Sequence, residues 1–221
     1  KSYEIPVEIL NQYVSARTQK KNEKKEEKDK AEFEHLELKE FIIEEDGSII
    51  LIGEQHYITT RTTYSSSGSS RTTYVYHFND ILVTKINASG NLAWMKKLPK
   101  KQTHSSSSYR PRYQGGMSYT LVKGNDSYYL LFLDNVKNMQ LGLDQVPAGH
   151  TDGMGGFLTA YKIDKASGQT SKVSVFDTRK VEGIALYQFS VDRILQTNPG
   201  EFVVEAYMKK KQDILLKVKL R

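Results

Sequence analysis

Short apolar blocks separated by turn residues fill the chain from about residue 36 to its end. Blocks rich in Ile, Leu, Val, Tyr and Phe and bounded by Gly, Asn and Asp are typical of β-strands. Three opening blocks run into turns at residues 45–47, 123–126 and 198–200, and a nearly all-apolar second block follows each turn. Because Gly and Asn tolerate a positive φ and Pro presets φ, these turns predict three antiparallel strand pairs.

Further blocks extend each pair into a repeat. The third blocks are D-I-L-V-T-K-I, G-F-L-T-A-Y-K-I and D-I-L-L-K-V-K-L, and the first two end in matching turns at residues 86–90 and 163–168. A fourth block follows each of those two turns, whereas the third copy stops at Arg221 before a fourth block. The repeat predicts a propeller-like array of about three antiparallel four-stranded blades. A β-sandwich of hairpins is the alternative.

An array of three blades is incomplete, since known propellers close with about four or more. Three explanations stay open. The N-terminal S-Y-E-I-P could supply the fourth strand of the last blade, the chain could be one piece of a longer propeller, or the blades could form an open array. We favour an incomplete or fragmentary propeller.

The opening strand departs once from regular alternation. Four of its apolar residues, Leu36, Leu38, Phe41 and Ile43, are spaced by two, then three, then two positions. One extra residue in a strand is the signature of a β-bulge, and we expect one here.

The N-terminal segment follows a different pattern. Val7, Leu10 and Val14 recur at helical spacing, which predicts a helix over about residues 7–34. Its second half, T-Q-K-K-N-E-K-K-E-E-K-D-K-A-E, mixes both charge signs and lacks an apolar face, as in an exposed helix or a mobile arm. The fold class is therefore all-β with an N-terminal helical segment, divided into a helical, charged segment 1–34 and a repeat domain 35–221.

The first repeat resembles a known family. In D-I-L-V-T-K-I-N-A-S-G-N-L-A-W-M-K-K, the spacing of Asp, Lys-Ile-Asn, Gly and Trp resembles a repeat of secreted bacterial β-propeller proteins. More broadly, residues 44–101 look like uncharacterised envelope or secreted proteins of Bacteroidetes-type bacteria. The resemblance implies a β-propeller-like fold and a secreted, periplasmic or outer-membrane-associated location. It implies no activity, cofactor or catalytic residue.

Composition and charge narrow the function classes. The 221 residues include no cysteine, which excludes disulfides, thiolate metal sites and cysteine nucleophiles. The net charge of +6 arises largely from short lysine runs such as 96–97 and 100–101. No nucleic-acid recognition motif accompanies them, so we expect a solvated surface and no nucleic-acid partner. No apolar run reaches the roughly 20 residues of a membrane-spanning helix.

Catalytic signatures are missing as well. The five histidines show no His-Glu-x-x-His spacing, and the Ser-rich runs contain no Gly-x-Ser-x-Gly. The most site-like loop is H-T-D-G-M-G-G, in which His150 and Asp152 are candidate ligand-binding residues; a flexible connection is the alternative. We therefore expect a protein that is not an enzyme, with no catalytic residue, cofactor or metal. Trp94 is expected to pack between blades.

Two tracts rich in Tyr and Arg are better suited to binding. R-T-T-Y occurs on both sides of the first Ser run, which predicts a two-stranded ribbon with a Ser-Ser-Gly tip. Tyr stacks on ligands and Arg forks bind anions, although plain soluble loops would look the same. The candidate residues are Arg61, Tyr64, Arg71 and Tyr74 in the ribbon, and Tyr109, Arg110, Arg112 and Tyr113 in the second tract.

These patterns indicate a non-catalytic binding or scaffolding module of the cell envelope or secreted space. It would act on a protein or glycan partner through the loops between strands, namely residues 61–74, residues 104–113 and the loop around His150. A carbohydrate-binding protein is the first alternative, because of the Tyr-rich ribbons. A polyanion-binding protein is the second, because of the positive net charge.

Overall fold

The computed structural model describes residues 2–28, 30–109, 116–142, 145–152, 155–181, 183–208 and 212–220. Strands account for 56% of the structure and helices for 9%, which confirms a mainly β fold with short N-terminal helices. Three sheets are present and no propeller is detected among these residues. The blade arrangement therefore stays a prediction.

The helices come first in the chain, and the strands begin at residue 36. The helices are α1 (Val7–Leu10) and α2 (Ala16–Glu26). The strands are β1 (Leu36–Ile43), β2 (Ile49–Tyr64), β3 (Ser70–Ile86), β4 (Leu92–Leu98), β5 (Gln102–Ser106), β6 (Thr120–Lys123), β7 (Ser127–Asp134), β8 (His150–Thr151), β9 (Phe157–Asp164), β10 (Thr170–Asp177), β11 (Lys180–Val181), β12 (Ile184–Asn198), β13 (Glu201–Met208) and β14 (Gln212–Lys219).

The strand pairs follow the three predicted meanders. β1, β2, β3 and β4 pair in chain order, and so do β6, β7, β9 and β10. β12, β13 and β14 form the third meander, whose fourth strand is the two-residue β11. The N-terminal S-Y-E-I-P does not complete this sheet, because residues 2–6 form no strand. That explanation of the missing strand is wrong.

The chain divides into two compact units. The first holds Lys1–His56, Asn79–Lys100 and Leu141–Pro147, and the second holds Tyr57–Phe78, Lys101–Gln140 and Ala148–Arg221. The N-terminal segment thus belongs to the same unit as β1 and β4. No comparable boundary falls at residue 34, and the domain division predicted there stays a prediction.

The predicted bulge lies in β1 and explains the change in spacing. The register between β1 and β2 shifts between Leu38 and Glu40, which confirms the prediction. The extra residue, Lys39, keeps the two apolar pairs on the same face of the strand, because side chains otherwise alternate strictly. Phe41 lies opposite Leu51, and Ile42, opposite Ile50, is buried on the other face.

The N-terminal helix is shorter than predicted. α1 ends at Leu10, and Tyr13 has a φ of 60°, which is incompatible with a continuous right-handed helix. α2 begins at Ala16, after the N-cap residue Ser15, whose hydroxyl accepts a hydrogen bond from the Thr18 amide at 3.3 Å. α2 has no buried residue, as predicted for an exposed helix, and it ends at Glu26.

Two lysines of the runs expected on the solvated surface are buried instead. Lys97 is 4% exposed, and its ammonium donates to the carbonyl oxygens of Leu10 at 3.1 Å and Gln12 at 2.8 Å. It also lies 3.3 Å from a carboxylate oxygen of Asp80. Lys100 contacts Glu54 at 2.7 Å, with both side chains fully buried. Burial lowers the pKa of Lys97 and raises that of Asp80, while each charge counteracts the shift of the other.

The same type of turn joins β1 to β2 and β3 to β4 in the first meander. In residues 44–48, the Glu44 amide donates to the Ser48 carbonyl and the Gly47 amide to the Glu44 carbonyl, both at 2.9 Å. Residues 87–91 repeat these two hydrogen bonds at 2.8 Å. Gly47 and Gly90 have φ values of 78° and 71°, in the left-handed region that glycine adopts without strain. The register of the meander follows from these turns.

The core of the second unit lies on the second and third meanders. Every residue of β7 is buried, whereas buried and partly buried residues alternate along most of β13. Apolar residues of β6, β7 and β9 cluster with Val191, Phe202 and Val204 of the third meander. Gln102 connects β5 to this core, because its amide donates to the Leu133 carbonyl at 2.8 Å. β5, which carries part of the candidate binding surface described below, is thus attached to this packed core.

Candidate binding surface

The outer parts of β2 and β3 form the predicted ribbon. The hydroxyls of Thr62 and Thr72 lie 3.3 Å apart across the two strands, and the Ser65 amide donates to the Ser69 carbonyl at 2.8 Å. Residues 59–71 are all exposed. This confirms the predicted ribbon with its Ser-rich tip. Arg61, Tyr64 and Arg71 lie on the exposed part of the ribbon.

Aromatic side chains gather where the ribbon joins the packed strands. Tyr74 contacts Tyr109 edge to face, with ring centroids 5.3 Å apart. Tyr76 lies beside His104 at 5.9 Å and donates its hydroxyl to the Ser108 carbonyl at 3.1 Å. Tyr76 is 2% exposed and packs with Phe78 and Met117, whereas Tyr109 is 54% exposed. The cluster thus has a buried support and an exposed edge.

A histidine–carboxylate pair lies in the same cluster. Nδ1 of His104 is 3.0 Å from Oδ2 of Asp152, and both side chains are partly buried. A carboxylate can only accept, so Nδ1 carries the proton and Nε2 is the acceptor in neutral His104. Nε2 is buried and has no hydrogen-bond partner among the described residues.

Backbone pairing brings these two residues together. β5 pairs antiparallel with β3, which places His104 opposite Tyr76. β8 pairs parallel with β5, and beyond it the Asp152 amide donates to the Thr103 carbonyl at 3.0 Å. The carboxylate is therefore positioned by a strand interaction between segments 48 residues apart. We refer to Tyr74, Tyr76, His104, Tyr109 and Asp152 as the Tyr–His–Asp cluster.

Burial shapes the electrostatics around the cluster. Burial raises the pKa of Tyr76, and the nearby Tyr109 and Tyr74 add to this rise. The Tyr76 phenol therefore stays a hydrogen-bond donor. At the base of the ribbon, His77 stacks on Tyr57 with centroids 4.4 Å apart and hydrogen bonds to Thr59 at 2.9 Å. Burial, with help from the positive charge of Lys101, lowers the pKa of His77. His77 is therefore neutral near pH 7.

The structure separates the candidate residues predicted from sequence. It brings Tyr74, Tyr109 and Asp152 into one cluster, while Arg61, Tyr64 and Arg71 lie on the ribbon. His150 is 2% exposed and lies in the interior, because its backbone pairs with β5. Arg110, Arg112 and Tyr113 lie outside the described residues.

The candidate residues predicted from sequence include neither His104, the first residue of the predicted loop 104–113, nor Tyr76. His104 stands next to the second Ser run, and Tyr76 follows Tyr74 at the two-residue spacing of one strand face, which is a readable signal for Tyr76. The pairing of His104 with Asp152 has no local signal, since it depends on the parallel contact of β5 and β8. Trp94 is partly buried on β4, opposite Lys85, and its predicted role between blades stays a prediction.

The cluster offers ring faces and fixed polar groups to a ligand. Within the described ranges, no group of three or more histidine, aspartate or glutamate side chains is arranged to hold a metal ion. In the same part of the chain, no helix has the length and apolar character needed to cross a membrane. Comparison with protein-family models, with curated proteins and with solved structures finds no match for this chain.

Proposed function

We propose that this protein is a non-catalytic binding module of the bacterial cell envelope or secreted space. Its three meanders act as propeller-like blades, and the Tyr–His–Asp cluster contacts a protein partner. The observation that carries this proposal is the exposed Tyr109 edge, packed on Tyr74 beside the His104–Asp152 pair. Amphipathic aromatic residues at a supported, partly exposed position are typical of binding hot spots.

Binding is favoured over catalysis by the same geometry. A hydrolytic relay needs a nucleophile within hydrogen-bond reach of the histidine. In the described part of the chain, no serine hydroxyl donates to Nε2 of His104. The cluster instead combines a ring edge with a histidine whose orientation is fixed by Asp152, which suits recognition.

A glycan is the second candidate ligand. Sugars bind to aromatic rings through their apolar face and to fixed donors and acceptors through their hydroxyls. Tyr109 and Asp152 provide one group of each kind in one cluster, and this observation keeps the glycan hypothesis open. Polyanion binding has weaker support, because acidic residues contact Lys21, Lys25 and Lys172.

Site-specific photo-crosslinking tests the proposal. A benzophenone amino acid is placed at position 109, and the purified chain is irradiated with an envelope extract of a Bacteroidetes bacterium. We expect a crosslinked protein that disappears in the Asp152→Ala variant, because Nδ1 of His104 then loses its hydrogen-bond acceptor. The matched control carries the same group at Tyr64, which is 79% exposed on the ribbon.

A glycan array probed with the same chain separates the two candidates. Binding to an array glycan that Tyr109→Ala abolishes, without a crosslinked protein, would replace the protein partner by the carbohydrate. Crosslinking from position 64 but not 109 would move the site to the ribbon. Absence of both crosslinking and glycan binding would refute the proposed function.

A further inference from the structure

The third sheet ends in a long strand with one free edge. β14 pairs with β13 along its whole length, from Gln212 opposite Met208 to Lys219 opposite Glu201. The sheet order is β11, β12, β13, β14, so no strand among the described residues pairs with the second edge of β14. An edge of this kind presents a row of backbone donors and acceptors to any strand that fits it.

Several usual protections of an edge strand are missing from β14. The strand contains no proline, and its register with β13 has no bulge. It has eight residues, above the usual strand length of about five to six. Residues 213, 215, 217 and 219 are exposed and form the outward face of β14. This face includes Leu215, which is 74% exposed. The remaining protection is charge, from Asp213, Lys217 and Lys219.

Those charges are complementary in a symmetric pairing centred on Leu216. In a twofold antiparallel pair, residues of one face lie opposite residues of the same face, so the outward residues 213, 215, 217 and 219 meet each other. With Leu216 on the twofold axis, Asp213 lies opposite Lys219 of the other copy, and this ion pair occurs twice. Leu215 then lies opposite Lys217, whose aliphatic stem can cover it.

Like charges exclude one neighbouring register and leave another. A pair centred on Lys217 places two lysines directly opposite each other, which is destabilising. A pair centred on Leu215 forms two Asp213–Lys217 pairs, so charge alone does not separate it from the pair centred on Leu216. The two registers place different residues on the twofold axis, and a cysteine at that position distinguishes them.

We propose that β14 is a self-association edge, and that two copies of this chain join through antiparallel β14 strands centred on Leu216. The second copy is an isologous partner, since each strand offers the same surface to the other. The inward residues then pair as Ile214 with Val218 and Leu216 with itself, so the apolar face continues across the junction. The interface is distinct from the Tyr–His–Asp cluster, and the proposal does not depend on the proposed function.

The absence of cysteine makes a crosslinking test direct. A single cysteine is introduced at Leu215, Leu216 or Lys217 of the full chain, which has no other thiol. Opposed residues in an antiparallel pair have Cβ atoms about 4.5–5.5 Å apart, close enough for a disulfide after small adjustment. We expect mild oxidation to give a disulfide dimer with Leu216→Cys, and at least about tenfold less dimer with the other two and with Asp126→Cys on an exposed turn.

Charge exchange provides a second test that keeps the packing of Leu216 intact. Analytical ultracentrifugation of the unmodified chain is expected to show a dimer that dissociates on dilution. Asp213→Lys should raise its Kd by roughly tenfold, because two attractive pairs become repulsive. The double variant Asp213→Lys, Lys219→Asp should restore the Kd, while the control Glu45→Lys, with the same change of net charge on an exposed turn of the first meander, should leave it unchanged.

Three outcomes would overturn the proposal. The first is a chain that stays monomeric at all accessible concentrations. The second is a dimer with equal disulfide yields at all three β14 positions. The third is a Kd that the charge exchange fails to restore although circular dichroism shows each variant folded.

Discussion

At the scale of single residues, the structure shows that the lysine runs are only partly exposed to solvent. The K-K dipeptides are typical of a solvated surface, and Lys96 fits that expectation. Lys97 is buried because two backbone carbonyls and Asp80 satisfy its ammonium, and the Phe33 ring lies 5.2 Å away. A sequence cannot show which of two adjacent lysines faces inward when the carbonyls that bind it come from a segment 85 residues away.

Replacing Lys97 by Met tests this role. The change leaves the Asp80 carboxylate, with a side chain only 13% exposed, without its cation, and we expect a loss of about 3–5 kcal/mol in unfolding free energy. Urea denaturation measures the loss. The control Lys96→Met should stay within about 0.5 kcal/mol of the unmodified chain. The double variant Lys97→Met, Asp80→Asn should recover part of the loss, and no recovery would mean that the ion pair does not cause it.

His77 makes the stability of the folded chain depend on pH, in a direction that follows from its lowered pKa. Its pKa is lower in the folded chain than in the unfolded one, so the unfolded chain binds more protons as pH falls through the window below 6.5. Stability from neutral His77 is fully present above that window and is lost as the pH falls through it. Urea denaturation at pH 7.5 and pH 5 should show a smaller loss for His77→Gln than for the unmodified chain. An equal loss in both would exclude His77 as the cause.

At the scale of elements, local patterns predict well and distant pairings do not. The turns, the bulge in β1 and the ribbon depend on residues a few positions apart, and the structure confirms them. The β5–β8 pair joins segments that have no pattern in common, and it positions Asp152 beside His104. The candidate site was therefore predictable only in part: Tyr74 and Tyr76 lie in a readable strand, while the histidine–carboxylate pair depends on a long-range contact.

The exposed part of the ribbon should be removable. Thr62 lies opposite Thr72, so replacing residues 62–72 by Asn-Gly leaves Arg61 and Thr73 beside a two-residue turn that favours hairpins. We expect the unfolding free energy to change by less than about 1 kcal/mol, because no residue of this segment is buried. The comparison is Phe78→Ala at the ribbon base, where the side chain is 3% exposed and truncation costs about 3–5 kcal/mol. A similar loss in both would show that the ribbon supports the fold.

At the scale of the whole molecule, the repeat is the most informative feature. Three meanders follow one another in the chain, and each begins with a strand pair joined by a short turn. The sequence predicted this order because each meander is a local unit. The division into two compact units, which falls inside the continuous strands β2 and β3, was not anticipated from the sequence.

The connection between the second and third strands differs in each repeat. In the first repeat these strands extend into the ribbon, in the second residues 135–156 separate β7 from β9, and in the third only residues 209–211 separate β13 from β14. The same connection thus takes three different lengths on the same order of strands. It is a place where a library of new loops could be introduced to change what the protein recognises.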